Sequence, residues 1–394
     1  MSIKFLIKFL SIFFFTFLSN TVSISSKNKF DVTVLGVINF NSGWGQIPIR
    51  FIDKYNPKLK INFIPFCKSN FDYVNDKTKN IINGKDKIFG NTTILFFQPL
   101  KAISKKLPKS TIKICYTMTE SYKINPDWVY TLNKYFDAVV VPAPFLVKAH
   151  QQAGVKIPIF VLPILMDLDN YLLSPIKTQK NTPFTFGISA GFGNNHNKNQ
   201  KMLIKGFIRK FKDNQNVRLK IRGAGGDKEE IEAIKNLIAR KNATNISLEV
   251  KPLSPQENFD FMKSLDCYVL VSKGEGFSLT PREALALGIP CILSNNTAHE
   301  VICQTDYIKS VKDLTIDNVA LAVEEVYNNY EQYLLKAQQA REWVKQYTYQ
   351  NLEQKYINLI KPYKIILGTE NLITDKYLMT NSKHLYNKYI TIKN

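Results

Sequence analysis

From Phe30 onward, apolar residues come in short, nearly continuous runs separated by stretches of helical spacing. Residues 32–38 form an almost unbroken β-branched and aliphatic run, the mark of a strand covered on both faces in a parallel sheet. Further runs at 60–65, 93–97, 112–116 and 138–141 predict buried strands with helices between them. A second series begins near Phe184, with strands predicted at 184–189, 218–222, 247–250, 267–271 and 291–293. Within it, 230–240 places Ile231, Ile234, Leu237 and Ile238 on one helix face, and Ser254-Pro-Gln-Glu257 has capping-box spacing with proline at the first helical position. Strands alternating with helices imply α/β domains with parallel sheets. The seam falls between Pro163 and Pro183, where Asp167, Asn170 and a Ser-Pro pair interrupt the pattern.

Length and composition fit two domains: 394 residues, 45% hydrophobic and 22% charged, are too many for one ordinary domain and too apolar for a disordered chain. Residues 1–26 stand apart. Lys4 and Lys8 precede an apolar run at 9–18, and small or polar residues follow at 19–23, which reads as a signal peptide or an N-terminal anchor. The segment 365–394 is a basic tail rich in lysine, asparagine and tyrosine. The five cysteines show no Cys-x2-Cys pair, so neither a disulfide framework nor a structural metal is expected.

The net charge of +21 changes the picture less than its size suggests. Only seven of the 53 basic residues are arginine, and the lysines are spread along the chain. Nucleic-acid readers gather Arg on one face, so no nucleic-acid partner is expected. Most of the charge reads as a lysine-rich solvated surface, and an anionic membrane surface is the alternative partner.

The stretch most informative about chemistry is 273–293. A strand ends at Val271, a glycine-rich loop follows, and a helix is predicted with Thr280 as cap, Pro281 as first residue and Glu283 at the third position. A loop feeding a helix start at the carboxyl edge of a parallel sheet is an anion site. Glu275 and Glu283 bracket it, eight residues apart. Glu283 reads either as a ligand for hydroxyls or as the far half of a Thr280-Pro-Arg-Glu283 capping box. Glu275 has no obvious local donor to satisfy. Carboxylates here suit sugar and ribose hydroxyls, and the backbone N–H groups between them suit a diphosphate.

Glu275-Gly-Phe-Ser-Leu-Thr-Pro-Arg-Glu283-Ala resembles the Glu-x7-Glu signature of the retaining, group 1 glycosyltransferases, with Ser278 where glycine is usual. The resemblance implies a GT-B fold: two Rossmann-like parallel-sheet domains facing across a cleft. It implies an acceptor domain at 27–165, a nucleotide-sugar-binding domain at 166–345, and a helix at 346–364 that crosses back to the first domain. It assigns the donor hexose to Glu275 and the ribose to Glu283. Gly276 and the backbone of Phe277, Ser278, Leu279 and Thr280 belong to the donor site, the backbone serving the phosphates. Lys198, in a Lys-Asn-Gln-Lys-Met-Leu-Ile-Lys-Gly-Phe stretch similar to the family's, becomes the diphosphate contact. Where many members carry an arginine five residues earlier, this chain has Gly193, leaving Lys201 or His196 to compensate. Ser42-Gly43-Trp-Gly45 resembles the family's first-domain glycine loop, and Glu120 stands in its acceptor-side loop. Pro163 to Asp167 resembles its hinge, and Glu342 to Tyr347 the start of its terminal helix.

The implied reaction moves a hexose from a nucleoside diphosphate sugar to an acceptor hydroxyl, on a glycan or a lipid-linked molecule, with retention. No metal is expected, and no cofactor beyond the nucleotide sugar as co-substrate. A GT-B binding protein without turnover is the alternative, supported by Gly193. The donor's cytoplasmic origin places the catalytic domains in the cytoplasm, membrane-associated through 1–26, with export after signal cleavage as the other option.

Overall fold

A computed structural model describes residues 30–361 apart from 41, 85–88, 108–111 and 194; the segment 1–26 and the tail 365–394 lie outside the described residues. In the first half, β1 (Val32–Gly36), β2 (Ile61–Pro65), β3 (Thr92–Phe96), β4 (Ile112–Tyr116), β5 (Ala138–Val141) and β6 (Ile159–Val161) form one sheet in the order β2-β1-β3-β4-β5-β6. In the second, β7 (Phe184–Ser189), β8 (Val217–Gly223), β9 (Ile246–Val250), β10 (Cys267–Leu270), β11 (Cys291–Ser294) and β12 (Lys309–Val311) follow the order β12-β11-β10-β7-β8-β9. Every pairing in both sheets is parallel. Helices cover both faces, which is why the strands are apolar on both sides: all four residues of β5 are fully buried. Each such aliphatic side chain contributes about 1.5–3 kcal/mol by leaving water.

The ten strands predicted from the apolar runs are all present, to within two residues. β6 and β12 are additional, three residues each, and both are edge strands. Two expectations are corrected. The glycine loop is shorter than predicted, because the helix Gly43–Tyr55 starts inside it, with the Ser42 hydroxyl accepting the Gly45 N–H at 3.1 Å. The terminal helix starts later than Glu342: the helix Tyr330–Val344 ends first, a single 3-10 turn follows at Lys345–Tyr347, and the helix Tyr349–Ile360 begins after it.

That last helix does return to the first sheet. The Tyr356 ring lies 5.4 Å from Tyr55, its hydroxyl donates to the Pro163 carbonyl at 2.9 Å, and the Thr92 hydroxyl donates to the Ile360 carbonyl at 2.8 Å. The two crossings between halves run side by side, since the Met166 N–H donates to the Tyr347 carbonyl at 2.9 Å. No helix among the described residues is long and apolar enough to cross a membrane.

Strand order reverses between β1 and β3 in the first sheet and between β7 and β10 in the second. At such switch points the connections leave in opposite directions and open a crevice beyond the carboxyl ends of the strands. Both crevices face one cleft of about 1520 Å³.

Candidate functional site

Lys198 follows β7 and Glu275 follows β10, so the second sheet's switch point brings 77 residues of sequence separation down to contact. The Lys198 ammonium donates to Oε1 and Oε2 of Glu275, at 2.8 Å each. It also meets Oε1 of Glu120, at 3.0 Å, from the loop after β4 of the other sheet. Glu275, Glu120 and Lys198, each named from the sequence, therefore meet at the one ammonium group of Lys198.

Asn197 braces the group, donating through Nδ2 to Oε2 of Glu120 at 2.7 Å and to the Gly274 carbonyl at 2.6 Å. The Glu275 N–H donates to Oγ1 of Thr297 at 2.8 Å, fixing the loop from behind. Burial pushes the Glu275 carboxyl above its ordinary range, with Lys198 pulling back. For Lys198, burial alone lowers the affinity for a proton; Glu275 and then Glu120 outweigh it, and the ammonium is held charged.

The glycine-rich loop then turns sharply at Ser278, which has φ 68° and ψ 85°. This left-handed conformation costs a non-glycine residue about 1 kcal/mol. The Ser278 hydroxyl offsets it by meeting Nε2 of the fully buried His299 at 2.8 Å. Nδ1 of His299 faces the Ser294 carbonyl at 3.2 Å. A carbonyl only accepts, so Nδ1 carries the proton and Nε2 is left to accept from Ser278. Burial first, and the nearby Arg282 charge second, pull the His299 pKa down to about 3, so the ring is neutral.

The helix Leu279–Ala286 starts directly after Ser278, and no side chain caps it. The Thr280–Glu283 capping box, one of the two readings of Glu283, is therefore absent. Thr280 already lies inside the helix, and its hydroxyl pairs with that of Tyr268 at 2.6 Å. Glu283, freed from that role, lines the cleft and has Nδ2 of Asn258 at 3.4 Å. Burial raises its pKa, and Arg50 opposes the shift. Ser278, Leu279 and Thr280 at the start of this helix line the cleft, and its first N–H groups have no intrahelical acceptor.

Gly276, Phe277 and Gly43 also line the cleft, whereas Gly45 is turned inward at the start of its helix. Lys201 and His196 are occupied elsewhere, both on Oε2 of Glu230 at 2.6 and 2.8 Å. Arg50, Tyr171, Asn258 and Arg282 were missed in the sequence. Arg50 comes from the first half and reaches Glu283 of the second only through the fold, so no local spacing announces it. No group of three His, Cys, Asp or Glu residues that could hold a metal occurs among the described residues.

Residues 178–343 match the family model described as glycosyl transferases group 1. No curated protein matches the chain. Among solved structures, HepE of Anabaena, crystallised with UDP and glucose, superposes with a TM-score of 0.65 at 12% identity, over 84% of this chain and 99% of HepE. Sucrose-phosphate synthase from Thermosynechococcus elongatus gives 0.63 at 11% identity, over 85% and 99%. The pneumococcal O-GlcNAc transferase GtfA, in complex with UDP and GlcNAc, gives 0.56 at 17% identity, over 72% and 62%. At these identities the likeness is one of fold, and the fold is GT-B.

Proposed function

We propose, from the premise that residues 178–343 are a group 1 glycosyl transferase domain in a GT-B chain, that the protein is a retaining hexosyltransferase. It takes its sugar from a nucleoside diphosphate sugar and passes it to an acceptor hydroxyl. The observation that carries this reading is the convergence of Glu275, Lys198 and an uncapped helix start on one wall of the cleft.

In the reaction the bond from the anomeric carbon to the β-phosphate oxygen breaks, and a bond to the acceptor oxygen forms on the same face. Charge grows on the departing diphosphate. Preorganised donors aimed at that charge lower the barrier most. Lys198 and the N–H groups at Leu279 and Thr280 supply them, and the reading needs no metal. Glu275 holds the hexose hydroxyls, and Lys198 opposes the effect of burial on its charge. Glu283, with Asn258 beside it, accepts from the ribose. Glu120, more exposed than Glu275 and carried by the other half, receives the proton of the incoming hydroxyl.

The acceptor side is lined by Phe40, Trp44, Tyr73 and Trp128, with the amides of Gln98 and Asn75 among them. Flat apolar faces interleaved with amides suit a glycan or the glycan head of a lipid-linked acceptor. Nucleotide sugars are cytoplasmic, so we place the catalytic halves there, held to the membrane by 1–26 and its basic surroundings; sequencing the mature amino terminus tests retention of that segment. The reaction itself is tested with Glu275→Ala, assayed for nucleoside diphosphate release across a panel of nucleotide sugars. Loss of turnover is expected, and undiminished turnover sinks the assignment.

A further inference from the structure

Arg282 is the one arginine in the Glu275 to Glu283 stretch, and it is only 1% exposed. It does not line the cleft. Its guanidinium lies between two rings, 4.1 Å from the centroid of Phe277 and 4.6 Å from that of Tyr347. Nη1 donates to the carbonyls of Phe277 and, at 2.8 Å, of Ser278. Nε has no acceptor, and no carboxylate among the described residues pairs with the group. A buried cation without a counter-ion is expensive, and ring faces and carbonyl dipoles offset only part of that.

The cleft needs such a charge. Lys198 with Glu275 and Glu120 carries one positive and two negative charges, so the triad alone repels a diphosphate. Lys201 and His196 are both engaged by Glu230, and Gly193 brings none; of the other cations that line the cleft, Arg50 bonds Gln46 and acts on Glu283, Lys54 meets Asp167 and Lys263 lies over the Phe259 ring. Peptide planarity does the rest. A trans peptide points its N–H opposite its C=O, so carbonyls 277 and 278 held toward Arg282 turn the N–H groups of Ser278 and Leu279 the other way, toward the cleft both residues line.

We infer that Arg282 is a positioning residue of the diphosphate site, supplying from behind the loop a positive charge that no carboxylate neutralises and aiming the loop's N–H groups by holding its carbonyls. The inference rests on the donor reading above and adds to it a charge that never touches the ligand. Tyr347, the outer ring of the sandwich, belongs to the crossing between halves, so the same residue ties the donor loop to that crossing.

The test measures dissociation constants by calorimetry for whichever of UDP, GDP and ADP the wild type binds, and for its parent nucleoside. Arg282→Met should weaken diphosphate binding about tenfold or more, while nucleoside binding stays unchanged, as loss of a nearby, poorly screened charge would do. Arg282→Lys, which keeps the charge, should retain most of the preference for the diphosphate even where its melting temperature falls. Equal weakening of both ligands in Arg282→Met, or no weakening, overturns the inference alone. If Arg282→Met does not fold, Arg282→Lys decides: a folded, charged variant without diphosphate preference overturns it. A wild type that binds none of the three diphosphates overturns the donor reading and this inference together.

Discussion

Lys198 holds both carboxylate oxygens of Glu275 at 2.8 Å from a single ammonium, and this pair is the hinge of the site's chemistry and of its local stability. Lys198→Ala should lower the turnover number for nucleoside diphosphate release about 10²- to 10³-fold, as loss of a preorganised donor does. It also leaves the nearly buried Glu275 without its counter-charge. The double variant Lys198→Ala/Glu275→Gln should therefore melt at a higher temperature than Lys198→Ala alone. Equal melting temperatures would mean that the pair is solvated and carries no such coupling.

Glu283 gives a change that stabilises while it disables. Burial raises its pKa above the ordinary 4.5, so the folded state binds this proton more tightly than the unfolded one. The sign follows: stability falls as pH rises from 4.5 through the folded value, and at neutral pH the buried charge is a net cost. Glu283→Gln should raise the melting temperature at pH 7, with the gain vanishing below about pH 4.5, and should weaken binding of the donor. Thermal melts at the two pH values, paired with nucleotide titration, check both halves. A loss of stability at pH 7 would show that Arg50 and Asn258 compensate the charge in full.

Much of this was legible in the sequence, because buried parallel strands write themselves as continuous apolar runs such as Ala138–Val141. That Glu275 and Lys198 share the donor site followed from the resemblance of their motifs, whereas their direct pairing comes from the fold alone. β12 was not legible, since two of its three residues, Lys309 and Ser310, are polar, as an edge strand with one neighbour permits. The Thr280 cap was misread for a physical reason: the Ser278 to His299 hydrogen bond holds Ser278 in a left-handed turn, which starts the helix before Thr280. Arg282 carries no local signal of burial, since Tyr347, one of the two rings that enclose it, comes from 65 positions downstream.

His299 should make the protein acid-sensitive. Its ordinary value of 6.5 falls to about 3 in the fold, so between those values the unfolded chain binds the proton and the folded one does not. The stabilisation is complete above pH 6.5 and is lost as pH falls toward 3, roughly 3 kcal/mol by pH 4. His299→Gln, which still offers an acceptor to Ser278, should flatten the stability curve over that range. Chemical denaturation from pH 4 to 7 measures it; parallel curves for the two proteins would place the acid sensitivity in other groups.

Two neighbouring glycines should respond differently to alanine, because what they face differs in stiffness. At Gly274 a Cβ would stand 2.0 Å from the Glu120 carbonyl oxygen, backbone of the opposite half. Nothing there can rotate away, so Gly274→Ala must hold the halves apart and break the contacts of Lys198 and Asn197 to Glu120. At Gly276 the nearest atoms belong to the flexible Met118 side chain, at 2.9 Å, which can turn aside. Gly274→Ala should therefore cut donor turnover and enlarge the radius of gyration seen by small-angle scattering, with little change in melting temperature, since each half keeps its own core. Gly276→Ala should leave the radius unchanged. An unchanged radius for Gly274→Ala as well would mean that the contact between Gly274 and Glu120 does not govern how closely the halves approach.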